Sequence, residues 1–160
     1  MFYKFEKIIN VRDFSEIKTQ EGRSIKPKAL VRTATLTDAS EGDKQRLVDE
    51  FKLHAIVDLR SDEEVEGAQY HHLSVFAREE DIKPEEREAH EKEMAMFKSD
   101  VMEAFKRLYI RMAKDDCAAN TYRAFFKVVL EAKGECVLWH CTQGQDRTGM
   151  AGMLLLSALG

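Results

Sequence analysis

The chain has 160 residues, 44% of them hydrophobic, which suits one compact domain with a real core over residues 1–160. Its formal net charge is −4 and no basic tract runs along it, so general nucleic-acid binding, which depends on clustered cations displacing counterions, is not expected. The opening MFYKFEK mixes charge into each short apolar run, and the longest apolar stretch, residues 150–159, is too short to span a bilayer. With three cysteines at irregular spacing, a disulfide framework is not expected either; a reducing, cytoplasmic setting is.

In chain order, residues 28–34 (KALVRTA) read as a short strand. Residues 37–54 carry Leu47, Val48 and Phe51 at helical spacing, with Thr37, Asp38 or Ser40 available as the cap. Residues 55–60 (AIVDLR) predict a buried strand ending in charge, and residues 70–76 a second one entered through Gly67. From Pro84 to about Lys114 the pattern is helical. Phe97, Val101, Phe105, Leu108 and Met112 form one apolar face, while residues 85–93 are almost wholly charged, as an exposed helix or a lid would be. Tyr122, Phe125, Phe126, Val129 and Leu130 mark a further helix closed by Gly134. Residues 135–140 (ECVLWH) predict the last strand, and residues 150–159 the last helix. Strands alternating with helices imply an α/β fold with a central, mostly parallel sheet and a lid-like helical insertion before the last strand. In such sheets the site lies beyond the carboxyl ends of the strands, where both Asp58 and Cys141 fall.

The chemistry concentrates in His140-Cys141-Thr142-Gln143-Gly144-Gln145-Asp146-Arg147-Thr148-Gly149. Five residues between Cys141 and Arg147 let the backbone curl so that its N–H groups converge, and a helix starting near Arg147 adds its positive end. The backbone from Thr142 through Gln143, Gly144, Gln145 and Asp146 to Arg147 thus forms a nest for a tetrahedral dianion. Arg147 offers a planar fork for two phosphate oxygens. The same field favours the Cys141 thiolate, which can attack phosphorus and form a phosphocysteine that water then releases. Gly144 permits a backbone angle that side chains resist, Thr148 places a hydroxyl near the sulfur, and His140 can orient the loop from behind. A cysteine and an arginine at this spacing recur by chance in roughly one such chain in ten; with the histidine, the glycine and the Thr-Gly ending, in well below about one in a thousand.

This loop resembles the signature of cysteine-dependent phosphatases, and its GxDRTG ending is similar to that of a bacterial tyrosine-phosphatase family whose loop commonly reads HCxAGKDRTG. Asn10-Val11-Arg12-Asp13 resembles the family's NxRD segment, and Gly22-Arg23 with Leu30-Val31-Arg32-Thr33-Ala34 its GR…LYRSA stretch. Val57-Asp58-Leu59-Arg60-Ser61 with Glu64 resembles its DLRxxxE motif, and Tyr122 falls where a tyrosine opens the helix before the loop. The resemblance implies a phosphomonoesterase acting on phosphotyrosine in a protein, or on a phosphorylated small molecule or lipid headgroup, with no metal or organic cofactor. Gln145 replaces a usual lysine and Gln143 a usual alanine; losing that rim cation counts against multiply phosphorylated inositol lipids. Family members usually continue through further helices, so the chain is expected to be incomplete at its C-terminal end.

Three candidates could protonate the leaving group. Asp146, beside Arg147, ranks first, by analogy with other phosphatases carrying an Asp-Arg pair there. Asp58 at its strand end ranks second, and the acidic turn Glu79, Glu80 and Asp81 third. Cys136 lies five positions before Cys141, hence on the opposite strand face, and reads as core rather than as a resolving thiol. Trp139 reads as core, Cys117 as structural and His90 as solvated. Met94 and Met96 are placed to line a lid over an aromatic substrate, and a binding module without turnover is the rival reading.

Overall fold

The computed structural model describes residues 1–61 and 69–160. Five strands form one sheet: β1 (Arg12–Asp13), β2 (Leu30–Thr33), β3 (Leu53–Asp58), β4 (Tyr70–His72) and β5 (Cys136–His140). Their spatial order is β1-β2-β5-β3-β4. Among these described strands only the β1–β2 pairing is antiparallel, so the four longer strands form the mostly parallel sheet that the alternating pattern implies. β5 occupies the centre, between β2 and β3, with Thr33 opposite His140 on one side and Asp58 opposite His140 on the other. Three strands therefore end at one level, just below the cysteine loop.

The helices are α1 (Glu41–Asp49), α2 (Arg87–Ser99), α3 (Val101–Lys114), α4 (Asp116–Glu131) and α5 (Asp146–Leu159). The period-two alternation of β5 sends its side chains to two cores. Val137 and Trp139 join Phe125, Met112 and Leu155 on the side of α3, α4 and α5. Cys136 and Leu138 join Val31, Leu47, Phe51 and Phe5 on the side of α1 and the N-terminal segment. Trp139, fully buried, stacks on Phe14 and packs against Phe125, and its indole N–H donates to Thr148 O at 3.1 Å. That bond ties the central strand to α5. Among the described residues no helix is long and apolar enough to cross a membrane.

Several boundaries differ from the sequence reading. The helix expected over 37–54 is confined to α1, because Ser40 caps it by accepting from Asp43 N and Lys52 turns into the left-handed region at φ +53°. Val48 is exposed rather than part of the apolar face. β4 stops at His72, although the chain still follows the end of β3 through Leu73 N to Asp58 O at 2.8 Å, and Ser74 Oγ then donates to Phe76 O at 2.6 Å. The long helical stretch breaks at Asp100: its N–H closes α2 on Met96 O, while its carboxylate accepts from Glu103 N and caps α3. Asp100-x-x-Glu103 was a legible start signal of the capping-box type. The last helix begins at Asp146, four residues before the apolar run but beside the start near Arg147 that the cysteine loop implies. Gly67 and Glu64 lie outside the described residues.

Candidate active site

The cysteine loop joins β5 to α5 and is held from outside. Thr35 N donates to Thr142 O at 3.1 Å, and Leu59 N to His140 O at 2.9 Å. Asn10 Nδ2 donates to Gln143 O and to Gly144 O, both at 3.1 Å. Arg32 Nη2 donates to Gly144 O at 2.8 Å and to Gln145 O at 3.2 Å. Gly144 has φ +66°, and a Cβ there would lie 2.3 Å from Thr33 O, so only glycine fits. The carbonyls of Gln143, Gly144 and Gln145 are thus held by Asn10 and Arg32.

Cys141 lies at the floor, 3% exposed. Burial alone would push its thiol up. The Thr148 hydroxyl and N–H, the Arg147 cation and the Gly144 N–H outweigh that and hold the thiol below its ordinary pKa. Thr148 Oγ1 is buried and has no hydrogen-bond partner of ordinary geometry among the described residues, so its hydroxyl is free to serve the neighbouring thiol it helps to hold down. Arg147 reaches across the loop, its Nη2 donating to Thr142 Oγ1 at 3.2 Å.

Cys141, Thr142, Gln143, Asp146 and Arg147 line one cleft of about 340 Å³. Its outer wall comes from α2 and α3, through Met94, Phe97, Leu108 and Arg111, with Phe76, His90 and Glu79 at the side. Met94 thus lines the cleft as a lid residue would, whereas Met96 does not, and His90 faces it rather than bulk solvent alone. Tyr109 on α3 donates its hydroxyl to Asp146 Oδ1 at 2.5 Å, which raises the tyrosine's own pKa.

Asp58 sits elsewhere. It is fully buried and bonded to Arg60 through both carboxylate oxygens, to Tyr70 OH, and 3.7 Å from His140 Nδ1. Burial would raise its pKa, but Arg60, His140 and Tyr70 together hold it low. His140, also buried, is kept below its ordinary pKa, chiefly by burial, against the pull of Asp58. Its Nδ1 lies 3.4 Å from Cys141 O, behind the loop. In the acidic turn, Arg78 pairs with Glu80 at 2.9 Å and with Asp81 at 3.0 Å. Cys136 sits in the opposite core, its thiol pushed up to about 12 by burial. Cys117 is exposed, 3.8 Å from Ser74 O. No group of three or more metal-ligating side chains occurs among the described residues.

The sequence reading missed Tyr109, Phe76 and the grip of Asn10 and Arg32 on the loop. Those last two stood out only as parts of family-like segments, since no spacing rule links residues 10 or 32 to residue 144.

A protein of Cupriavidus necator named "Putative tyrosine-protein phosphatase" is 29% identical over 167 aligned residues, which cover 98% of this chain and 57% of that protein. The chain thus spans little more than half the length of this relative. Residues 3–160 match the tyrosine phosphatase family, and with the loop, the central strand and the cleft arranged as above, the chain belongs to that family.

Proposed function

We propose that the chain hydrolyses phosphomonoesters through a phosphocysteine, with phosphotyrosine as the favoured substrate. The observation that carries this reading is a buried thiol held below its ordinary pKa at the floor of a loop whose arginine shares the same cleft. The loop amides and the Arg147 fork take the non-bridging phosphate oxygens. The Cys141 thiolate attacks phosphorus in line with the ester oxygen, the P–O bond breaks, and the leaving oxygen takes a proton from Asp146. Water then gives a proton back to the Asp146 carboxylate and attacks phosphorus, so that phosphate leaves and the thiolate returns.

Asp146 is assigned the proton transfer because it lines the cleft beside Arg147, with its carboxyl group oriented by Tyr109 OH at Oδ1. Asp58 is assigned to holding Arg60 and His140 beneath the loop, since a buried, ion-paired carboxylate has no path to a leaving group. Apolar walls from Phe76, Met94, Phe97 and Leu108 favour an aryl ester over a sugar phosphate. Cys141→Ser is expected to keep phosphate binding and to abolish hydrolysis; residual turnover would end the covalent mechanism. Relative rates on phosphotyrosine peptides and on inositol lipids test the substrate class, with the peptides expected to be faster.

A further inference from the structure

Arg32 projects from β2 into the space between the sheet and α5. Its Nη2 takes the carbonyls of Gly144 and Gln145, the peptide units at the turn of the loop. Its guanidinium packs along two glycines of α5: Cβ atoms added at Gly149 and Gly152 would lie in ordinary contact with it, 3.4 Å from Arg32 Nη2 and 3.7 Å from its Nη1. Asn10 completes the grip from the other side. It stands at φ +62°, and Arg12 Nη1 donates to its Oδ1, which fixes the amide so that Nδ2 faces the carbonyls of Gln143 and Gly144.

We infer that Arg32, with Asn10 oriented by Arg12, is the positioning pair of the phosphate cup: it draws the carbonyls of Gln143, Gly144 and Gln145 outward and adds a second cation behind the thiolate. A peptide unit is rigid, so a carbonyl pinned outward turns the N–H of the next residue toward the opposite side. The carbonyls of residues 143 and 144 thereby orient the amides of Gly144 and Gln145, while the Gln145–Asp146 peptide is held by Gly149 N as well as by Arg32. Arg32 stays protonated at neutral pH, although burial and the neighbouring Arg12 bring it down to about 10; the Cys141 charge acts in the opposite sense. That mutual attraction favours the thiolate.

Other charged or titratable groups surround the cup: Arg147 and Asp146 on α5, His140 on β5, Asp58 and Arg60 at the end of β3, His90 on α2, and Tyr109 and Arg111 on α3. Their hydrogen bonds described above lead to one another, to Thr142 or to Cys141 O; the carbonyls of Gln143 and Gly144 go to Asn10 and Arg32, while that of Gln145 is shared between Arg32 and Gly149 N, which donates to it at 2.7 Å in the first turn of α5.

This role rests on the phosphatase reading, but its test needs no turnover. Thiolate formation at Cys141 is followed by alkylation rate against pH, and inorganic phosphate binding by calorimetry on the Cys141→Ser background. Arg32→Met is expected to raise the thiol midpoint by about one unit and to weaken phosphate binding about tenfold. Asn10→Ala, which removes no charge, is expected to weaken phosphate binding several-fold and to move the thiol midpoint clearly less. Arg32→Lys keeps the cation without the fork, so it should restore the midpoint more fully than the affinity, and it carries the test if the methionine variant fails to fold. Variants that melt earlier yet bind phosphate and titrate as the unmodified chain does would reduce both residues to fold supports and overturn the inference. If the unmodified chain cleaves no phosphomonoester, the mechanism above falls, while these two readouts still decide what Arg32 and Asn10 do.

Discussion

Gly144 sits where two restraints meet, a left-handed backbone and a neighbouring carbonyl with no space for a methyl group. Gly144→Ala is therefore expected to cost about 3 kcal/mol or more, or to displace the loop, because strained φ alone costs about 1–2 kcal/mol and the contact falls on backbone. Thermal unfolding and phosphate affinity should fall together; a variant that loses neither would mean that the loop relaxes freely. At Asp146 the expectation concerns leaving groups. A general acid supplies about 10²–10⁴ in rate, and most of it is needed when the departing oxygen is a poor leaving group. Asp146→Asn should thus slow alkyl phosphates about a hundredfold or more while sparing activated aryl phosphates; equal losses on both would make Asp146 a strut of the loop.

The elements that shape the cleft are α2 and α3, split by the double-duty cap at Asp100. Because the break redirects the chain, α2 folds back against α3, with Phe97 edge-on to Phe105 at 5.8 Å, and brings Met94 and Phe97 over the loop. A continuous helix would have carried those side chains away. Phe97→Ala is expected to raise KM for a phosphotyrosine peptide about tenfold, the worth of roughly 1–2 kcal/mol of aromatic contact, with kcat changed far less. Steady-state kinetics on the peptide and on inorganic phosphate as inhibitor separate the two outcomes. A loss confined to kcat, with KM unchanged, would remove Phe97 from substrate binding.

For the whole molecule, acid stability is tied to Asp13, which fastens the N-terminal segment to the sheet edge. Its carboxylate accepts from Lys28 N, Tyr3 OH and Ser15, and these bonds outweigh burial and bring its pKa down to about 2. The folded pKa lies below the unfolded one near about 4, so the stabilisation is full above pH ~4 and is lost as the pH falls toward ~2. Asp13→Asn should be less stable than the unmodified chain at neutral pH, with the gap closing across that window in acid-unfolding curves. A gap that stays constant with pH would assign the effect to shape rather than to charge.

What the sequence determined by itself was local. Cys141, Arg147, Gly144 and the strand–loop–helix around them follow from residue types at fixed short spacing, and the alternation of strands and helices carries the sheet's mostly parallel sense. The opposite facing of Cys136 and Cys141 also follows from the two-residue period of a strand. Tertiary structure decided what depends on long-range approach. Asn10 and Arg32 meet residues more than a hundred positions away, Tyr109 on α3 reaches Asp146 on α5, and Asp58 is buried against Arg60, Tyr70 and His140 rather than facing the cleft. No periodicity encodes such contacts, because they depend on which strands become neighbours; placing β5 between β2 and β3 is what brings those side chains to one loop.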